Sequence, residues 1–150
     1  MDVKIIAKDT SFHFRARGLI EQDGKFLIAR GCGAECYHIP GGHVQVGEDT
    51  KQAICRELKE EIGCDVYVGN LFCVEEIFYN FNNQSCHSLA LHYCIKPKNK
   101  ITVQSKTNDL EFKWVTKDEL KNIDLRPEPV KQLIVGSDIN SCFKHFISRE

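Results

Sequence analysis

The chain has 150 residues, 42% of them hydrophobic and 27% charged, with 20 Lys and Arg against 21 Asp and Glu for a net charge of −1. That length suits a single α+β domain, 1–150, with its own core. The near-balance of charge, without a dense Lys/Arg run, excludes a dedicated nucleic-acid or membrane-surface binder, whose affinity needs a concentrated basic face. The opening stretch MDVKIIAKDTSFHF is too polar for a secretory leader, and no apolar run reaches bilayer length. The expected setting is cytoplasmic, with the 8 cysteines reduced and mostly packing as small hydrophobes.

The first predicted strand is FHFRARGLI, in which Phe12, Phe14 and Ala16 alternate with His13, Arg15 and Arg17. Asp23-Gly24 is a two-residue hairpin signal leading to a second strand, Phe26 to Ala29. In the following YHIPGG, Pro40 and the paired glycines are expected to end regular structure. A helix comes next. Asp49 or Thr50 can cap it, with Gln52 in capping-box spacing from Asp49. Ile54, Leu58 and Ile62 form its apolar stripe, and Gly63 suits a left-handed cap.

Two β-rich stretches, CDVYVGNLFCVEEIFYNF and SLALHYCIK, are joined by the turn-prone NNQS. EFKWV is a further strand, TKDEL a helical turn with a Thr cap, and RPEPVKQLIVG a second main helix. The tail SCFKHFISRE fits strand or helix equally.

The helix carries an electrostatic cost. Glu57, Glu60 and Glu61 fall within an arc of roughly 100°. Like charges at this spacing cost about 0.2–0.5 kcal/mol per pair. Glu60 and Glu61 also sit at the negative end of the helix dipole, where anions are disfavoured by about 0.3–1 kcal/mol. A solvated acidic face could bear that cost. The Gly-Gly turn before the helix and Glu48 beside it instead suggest a cluster of oxygen donors for a hard divalent cation.

Gly42, Glu48, Arg56-Glu57, Leu58, Glu60-Glu61 and Gly63 match the signature G-x5-E-x7-R-E-U-x-E-E-x-G-U, and the chain resembles the Nudix hydrolase family. Cys64 departs from it at the last aliphatic position, where looser packing is expected and no lost chemistry. The resemblance implies an α/β/α sandwich with a mixed sheet and Mg²⁺-dependent cleavage, with Mn²⁺ as a substitute, of a nucleoside diphosphate linked to another group. An NTP, ADP-ribose and a dinucleoside polyphosphate all remain open as the small-molecule substrate, and a homodimer is compatible with it. The competing reading is a catalytically silent nucleotide-binding or sensor module. The intact acidic positions favour the enzyme.

The implied site has Glu57 and Glu61 as principal metal ligands, Glu60 as a further ligand or the base, and the carbonyl of Gly41 or Gly42 as another donor. Arg56 serves catalysis by orienting a glutamate. Glu48 is either a capping group at the helix entry or part of the chemistry. A further acid from outside the motif is sought first at Glu111, then at Glu75 or Glu76. Arg15, Arg17 and Arg30, on the two N-terminal strands, read first as a solvated strand face, with contact to substrate phosphate, to which guanidinium is well suited, as the functional alternative.

Cys32, Cys36, His38 and His43 only partly match a zinc pattern and read as ordinary thiols and loop histidines. Cys55 and Cys142 read as packing residues, as does Trp114. Phe78, Tyr79 and Phe81 read as packing too, with an aromatic clamp over a base as the functional alternative.

Overall fold

The computed structural model describes residues 1–102, 109–136 and 144–149. Within them lie the strands β1 (Lys4–Ile6), β2 (Thr10–Gln22), β3 (Lys25–Gly31), β4 (Gly41–His43), β5 (Val66–Phe81), β6 (Gln84–Pro97), β7 (Leu110–Val115) and β8 (Lys144–Arg149). The helices are α1 (Thr50–Ile62), α2 (Lys117–Leu120) and α3 (Glu128–Gly136). The sheet runs β7-β3-β2-β6-β5-β8, with β1 and β4 both pairing with β2. It is mixed: β2 with β6 and β5 with β8 are parallel, and the other pairs are antiparallel.

Each face of the sheet has its own core. On one, Ala53, Ile54 and Leu58 of α1 pack against Ala16, Ile20, Tyr93 and Ile95. On the other, Leu120, Val130 and Ile134 of α2 and α3 cover Leu19, Phe26, Ile28 and Phe72. Burial on both faces explains why Leu19 and Ile20 can be adjacent and both inaccessible. The result is an α/β/α sandwich of the α+β class. None of the described helices is long and apolar enough to cross a membrane.

Local chemistry sets the turns. Asp23 and Gly24 both take positive φ, at 53° and 73°, as a two-residue hairpin with a right-handed strand twist requires. Asn82 and Asn83 do the same between β5 and β6, at 49° and 62°. Two expectations are corrected or sharpened. Gly41 and Gly42 do not end regular structure: they form β4, in antiparallel register with Arg15 to Arg17 of β2. The tail from Lys144 to Arg149 is a strand; Cys142 lies outside the described residues.

Candidate active site

The acidic helix starts and stops on its own sequence. The Asp49 carboxylate accepts from the Gln52 amide N–H at 2.8 Å, and the Gln52 side chain accepts from Asp49 N–H at 2.8 Å. Gly63 closes the helix at φ 67°, its N–H bonded to the Lys59 carbonyl at 3.0 Å. Because Ile54 and Leu58 face the sheet, the three glutamates are carried on the flank beside β4.

The paired glycines let helix and sheet close. A Cβ on Gly41, where φ is 128°, would lie 2.3 Å from the Ala16 carbonyl oxygen and 2.9 Å from Ile54 Cδ1. A Cβ on Gly42 would lie 2.5 Å from the carboxyl carbon of Glu57. The Glu57 carboxylate therefore occupies the space that a side chain at position 42 would need.

Arg56 organises the acids. Its Nη2 donates to Glu48 Oε1 at 2.7 Å and to the His43 carbonyl at 3.0 Å, and its Nε donates to Glu48 Oε2 at 3.1 Å. Nη1 donates to Glu57 Oε1 at 2.8 Å and reaches Glu60 Oε2 at 3.4 Å. The fork geometry of guanidinium makes this set of contacts possible. Glu48, itself accepting from the Gln45 N–H at 2.8 Å, holds Arg56 and the loop before the helix.

Burial raises the pKa of Glu57, the Arg56 contact opposing it, while Glu60 adds repulsion. Glu61 is pushed further, to about 7, first by burial and then by Glu57 and Glu60; Arg17 and the Gly41 N–H oppose the shift. Glu61 Oε2 is buried with no hydrogen-bond partner among the described residues. An orphaned carboxylate oxygen among other acids is a setting that a divalent cation would satisfy. The residues present thus fit a metal. No three-ligand cage is preassembled among the described side chains. Glu57 is drawn to Arg56, and the Glu60 side chain, 59% accessible, stays in solvent.

On the other side of Gly41 a cavity of about 270 Å³ opens over β2, β6 and β5. Arg17 stands at the junction, its Nη1 donating to the carbonyls of Gly41 at 2.9 Å and Ile39 at 3.1 Å, with His38 Nδ1 at 3.4 Å. Burial lowers its pKa to about 10 and Arg15 adds to this, while Glu75, Glu61 and Glu57 oppose. Arg15, Arg17, Glu75, His92, Tyr79 and Arg126 all line the cavity. Burial, then Arg17, pushes the His38 imidazole down to about 4 and keeps it neutral.

Of the residues singled out in the sequence, Glu57 and Glu61 lie against the Gly41-Gly42 strand, Arg17 binds the Gly41 carbonyl, Arg15 lines the cavity with Arg17, and Arg56 holds Glu57 and reaches Glu60 at the solvent edge. Arg30 and Glu111 are not. They face one another across β3 and β7, bonded at 2.7 Å, and Arg30 also covers the Tyr37 ring at 4.8 Å. Glu76 points away from the cavity to His87 at 2.9 Å. His43 contacts His13 at 2.8 Å, and Phe78 stacks on His87. Cys64 is buried in the α1-side core, with Cys55 and Trp114 packed against that core. Tyr79, Glu75 and His92 gain their place only through the pairing of β5 with β6, which spacing along the chain does not encode.

The NUDIX domain family matches residues 12–134. The CTP pyrophosphohydrolase of Escherichia coli K12 is 29% identical over 119 residues, 77% of this chain and 84% of that protein. The ADP-ribose pyrophosphatase of Methanocaldococcus jannaschii is 41% identical over 49 residues, only 31% of this chain and 29% of that protein. Among solved structures, a MutT protein from Bacillus halodurans superposes with a TM-score of 0.68 at 16% identity, covering 90% of both chains. A NUDIX-family hydrolase from Clostridium perfringens gives 0.65 at 22% identity, covering 82% of this chain and 93% of the other. The chain belongs to the Nudix family, and its class is that of a Nudix pyrophosphohydrolase.

Proposed function

We propose that the chain cleaves the pyrophosphate bond of a nucleoside diphosphate linked to a further group, using Mg²⁺, with Mn²⁺ able to replace it. The observation that carries this reading is the buried Glu61 Oε2, without a hydrogen-bond partner among the described residues, on the same helix as Glu57, whose carboxylate is held by Arg56. Glu57 and Glu61 would hold the cation, with Glu60 and the Gly41 carbonyl as further donors. That carbonyl already accepts from Arg17, so only its second lone pair is open to an ion. When bound, the ion offsets the charge of the phosphate oxygens and eases deprotonation of an attacking water.

The remaining work belongs to the side chains. Glu60, exposed and only distantly contacted by Arg56, is free to turn and accept the proton of that water. Arg56 keeps Glu57 aligned and is itself held by Glu48, so it acts through the glutamates and not on substrate. Arg15 and Arg17 line the cavity and offer positive charge to the nucleotide's diphosphate as it passes from there toward the carboxylates of α1. Arg30 and Glu111, occupied with one another, have no part in this scheme.

The relatives named for CTP and ADP-ribose both point to a nucleoside carrying a diphosphate, which is the class proposed here. The test is product release from nucleoside triphosphates, nucleoside diphosphate sugars and dinucleoside polyphosphates, with and without Mg²⁺. Turnover of at least one class that stops on chelation supports the proposal. Turnover unaffected by chelation would refute the cofactor assignment.

A further inference from the structure

The floor of the cavity is built where three strands lie in register. Arg15 on β2 is opposite Ala90 on β6, and Ala90 is opposite Glu75 on β5; two residues further along, Arg17 is opposite His92. Ala90 contributes only a methyl group, which leaves space between Arg15 and Glu75. Glu75 and His92 are 4% and 2% exposed. Their side chains meet at 2.7 Å, Oε2 to Nε2. A carboxylate only accepts, so the imidazole N–H donates.

That contact uses one oxygen of Glu75. The other has no protein partner among the described residues, and the cavity is the open space beside it. His92 Nδ1 is buried as well, without a partner among the described residues. A buried imidazole nitrogen without a partner is costly to a fold, and apolar side chains in place of the pair would pack at least as well. Neither residue belongs to the acidic helix or is held by Arg56. The pair therefore points to a ligand, and its chemistry is that of an acceptor seeking an N–H.

We propose that Glu75, fixed in orientation by His92, selects the substrate's nucleobase by accepting a hydrogen bond from an exocyclic amine. The proposal rests on the nucleotide reading above for the kind of ligand. The cavity, at about 270 Å³, has room for a base, and Tyr79 in its wall brings an aromatic ring to the site. With the base beside Glu75, the phosphates extend past Arg17 toward the carboxylates of α1. An amine on the base meets the free carboxylate oxygen and is bound. A carbonyl at the same position sets oxygen against oxygen, and a hydrogen there leaves the carboxylate unfilled.

The test is equilibrium binding of nucleoside 5′-monophosphates to the full chain by titration calorimetry, which needs no hydrolysis. Two pairs probe the amine: guanosine against inosine removes it alone, and cytidine against uridine replaces it by a carbonyl with a proton gained at N3. In each pair that binds, the amine-bearing member should be tighter by about 10- to 100-fold. Glu75→Gln keeps the shape, gives its carbonyl oxygen to His92 and turns an amide N–H toward the cavity, so the preference should vanish or invert. Should that variant not fold, the wild-type pairs decide alone.

Equal affinities, a preference for the carbonyl-bearing member, no binding of any of the four, or an unchanged preference in a folded Glu75→Gln protein would each overturn the proposal. Base preference without turnover of any diphosphate would sink the hydrolase reading and leave this one standing. Turnover with no base preference would do the reverse. In a turnover assay the variant should change KM and not kcat. An equal loss of kcat on every substrate would place Glu75 in the reacting centre and overturn its role in selection.

Discussion

The carboxylate of Glu57 fills the space that a side chain on Gly42 would need, with a Cβ at position 42 lying 2.5 Å from the Glu57 carboxyl carbon. The neighbour it displaces is the far end of a flexible side chain, not backbone. Gly42→Ala should therefore fold with a melting temperature within a few degrees of wild type, yet lose about 100-fold or more in kcat as Glu57 is expelled. Gly41→Ala should behave differently. It meets the Ala16 carbonyl at 2.3 Å and an unfavourable φ of 128°, so destabilisation of about 2 kcal/mol or more is expected. Thermal melts and steady-state kinetics on the two variants separate the roles.

Arg56 binds Glu48, Glu57 and the His43 carbonyl with one planar fork. Lysine keeps the charge but cannot hold all three. Arg56→Lys should lower kcat by about 10- to 100-fold with a smaller change in KM, since the residue positions a carboxylate and does not contact substrate. A rise in KM with kcat intact would assign Arg56 to substrate binding instead.

Glu61 costs stability in the absence of a cation. Its folded pKa, raised to about 7, exceeds the unfolded value, so the folded state holds the extra proton between about pH 4.5 and 7. The favourable contribution of the protonated form is complete below the unfolded pKa and is lost as pH rises through 7. Glu61→Gln, neutral throughout, should be more stable than wild type in chelator at pH 8, by about 2–3 kcal/mol, and the gap should close toward pH 4.5. Denaturant titrations at several pH values would check both the sign and the window.

The same burial reverses sign when an ion is supplied. Mg²⁺ at 100 times its dissociation constant should stabilise the wild-type fold by about 2.7 kcal/mol. Glu61→Gln should show a much smaller rise in melting temperature with added Mg²⁺. An equal rise in both proteins would remove Glu61 from the ligand set.

The helix and its chemistry were legible because they are local. Asp49, Gln52 and Gly63 cap it where the sequence indicates, and the glutamate spacing dictates a shared flank. The hairpins at Asp23-Gly24 and Asn82-Asn83 were readable for the same reason. What depended on pairing between distant strands was not. Arg15, Arg17 and Arg30 look alike in sequence, but the register of β2 with β4 and β6 brings the first two to the cavity, while that of β3 with β7 joins Arg30 to Glu111. Glu75 and Glu76 are adjacent, and the pleat of β5 sends one to His92 and the other to His87. The short β4 was missed because two glycines after a proline signal a turn, whereas here the missing side chains allow close approach to β2 and α1.

The most direct test of the central claim is kcat for wild type, Glu57→Gln and Glu61→Gln across a Mg²⁺ titration, on whichever nucleoside diphosphate derivative the panel identifies. Both variants should fold and lose about 10³-fold in kcat at saturating Mg²⁺, with no activity in chelator. Wild-type kcat in either variant, or turnover indifferent to Mg²⁺, would contradict the assignment of the acidic helix as the cation-binding and catalytic element.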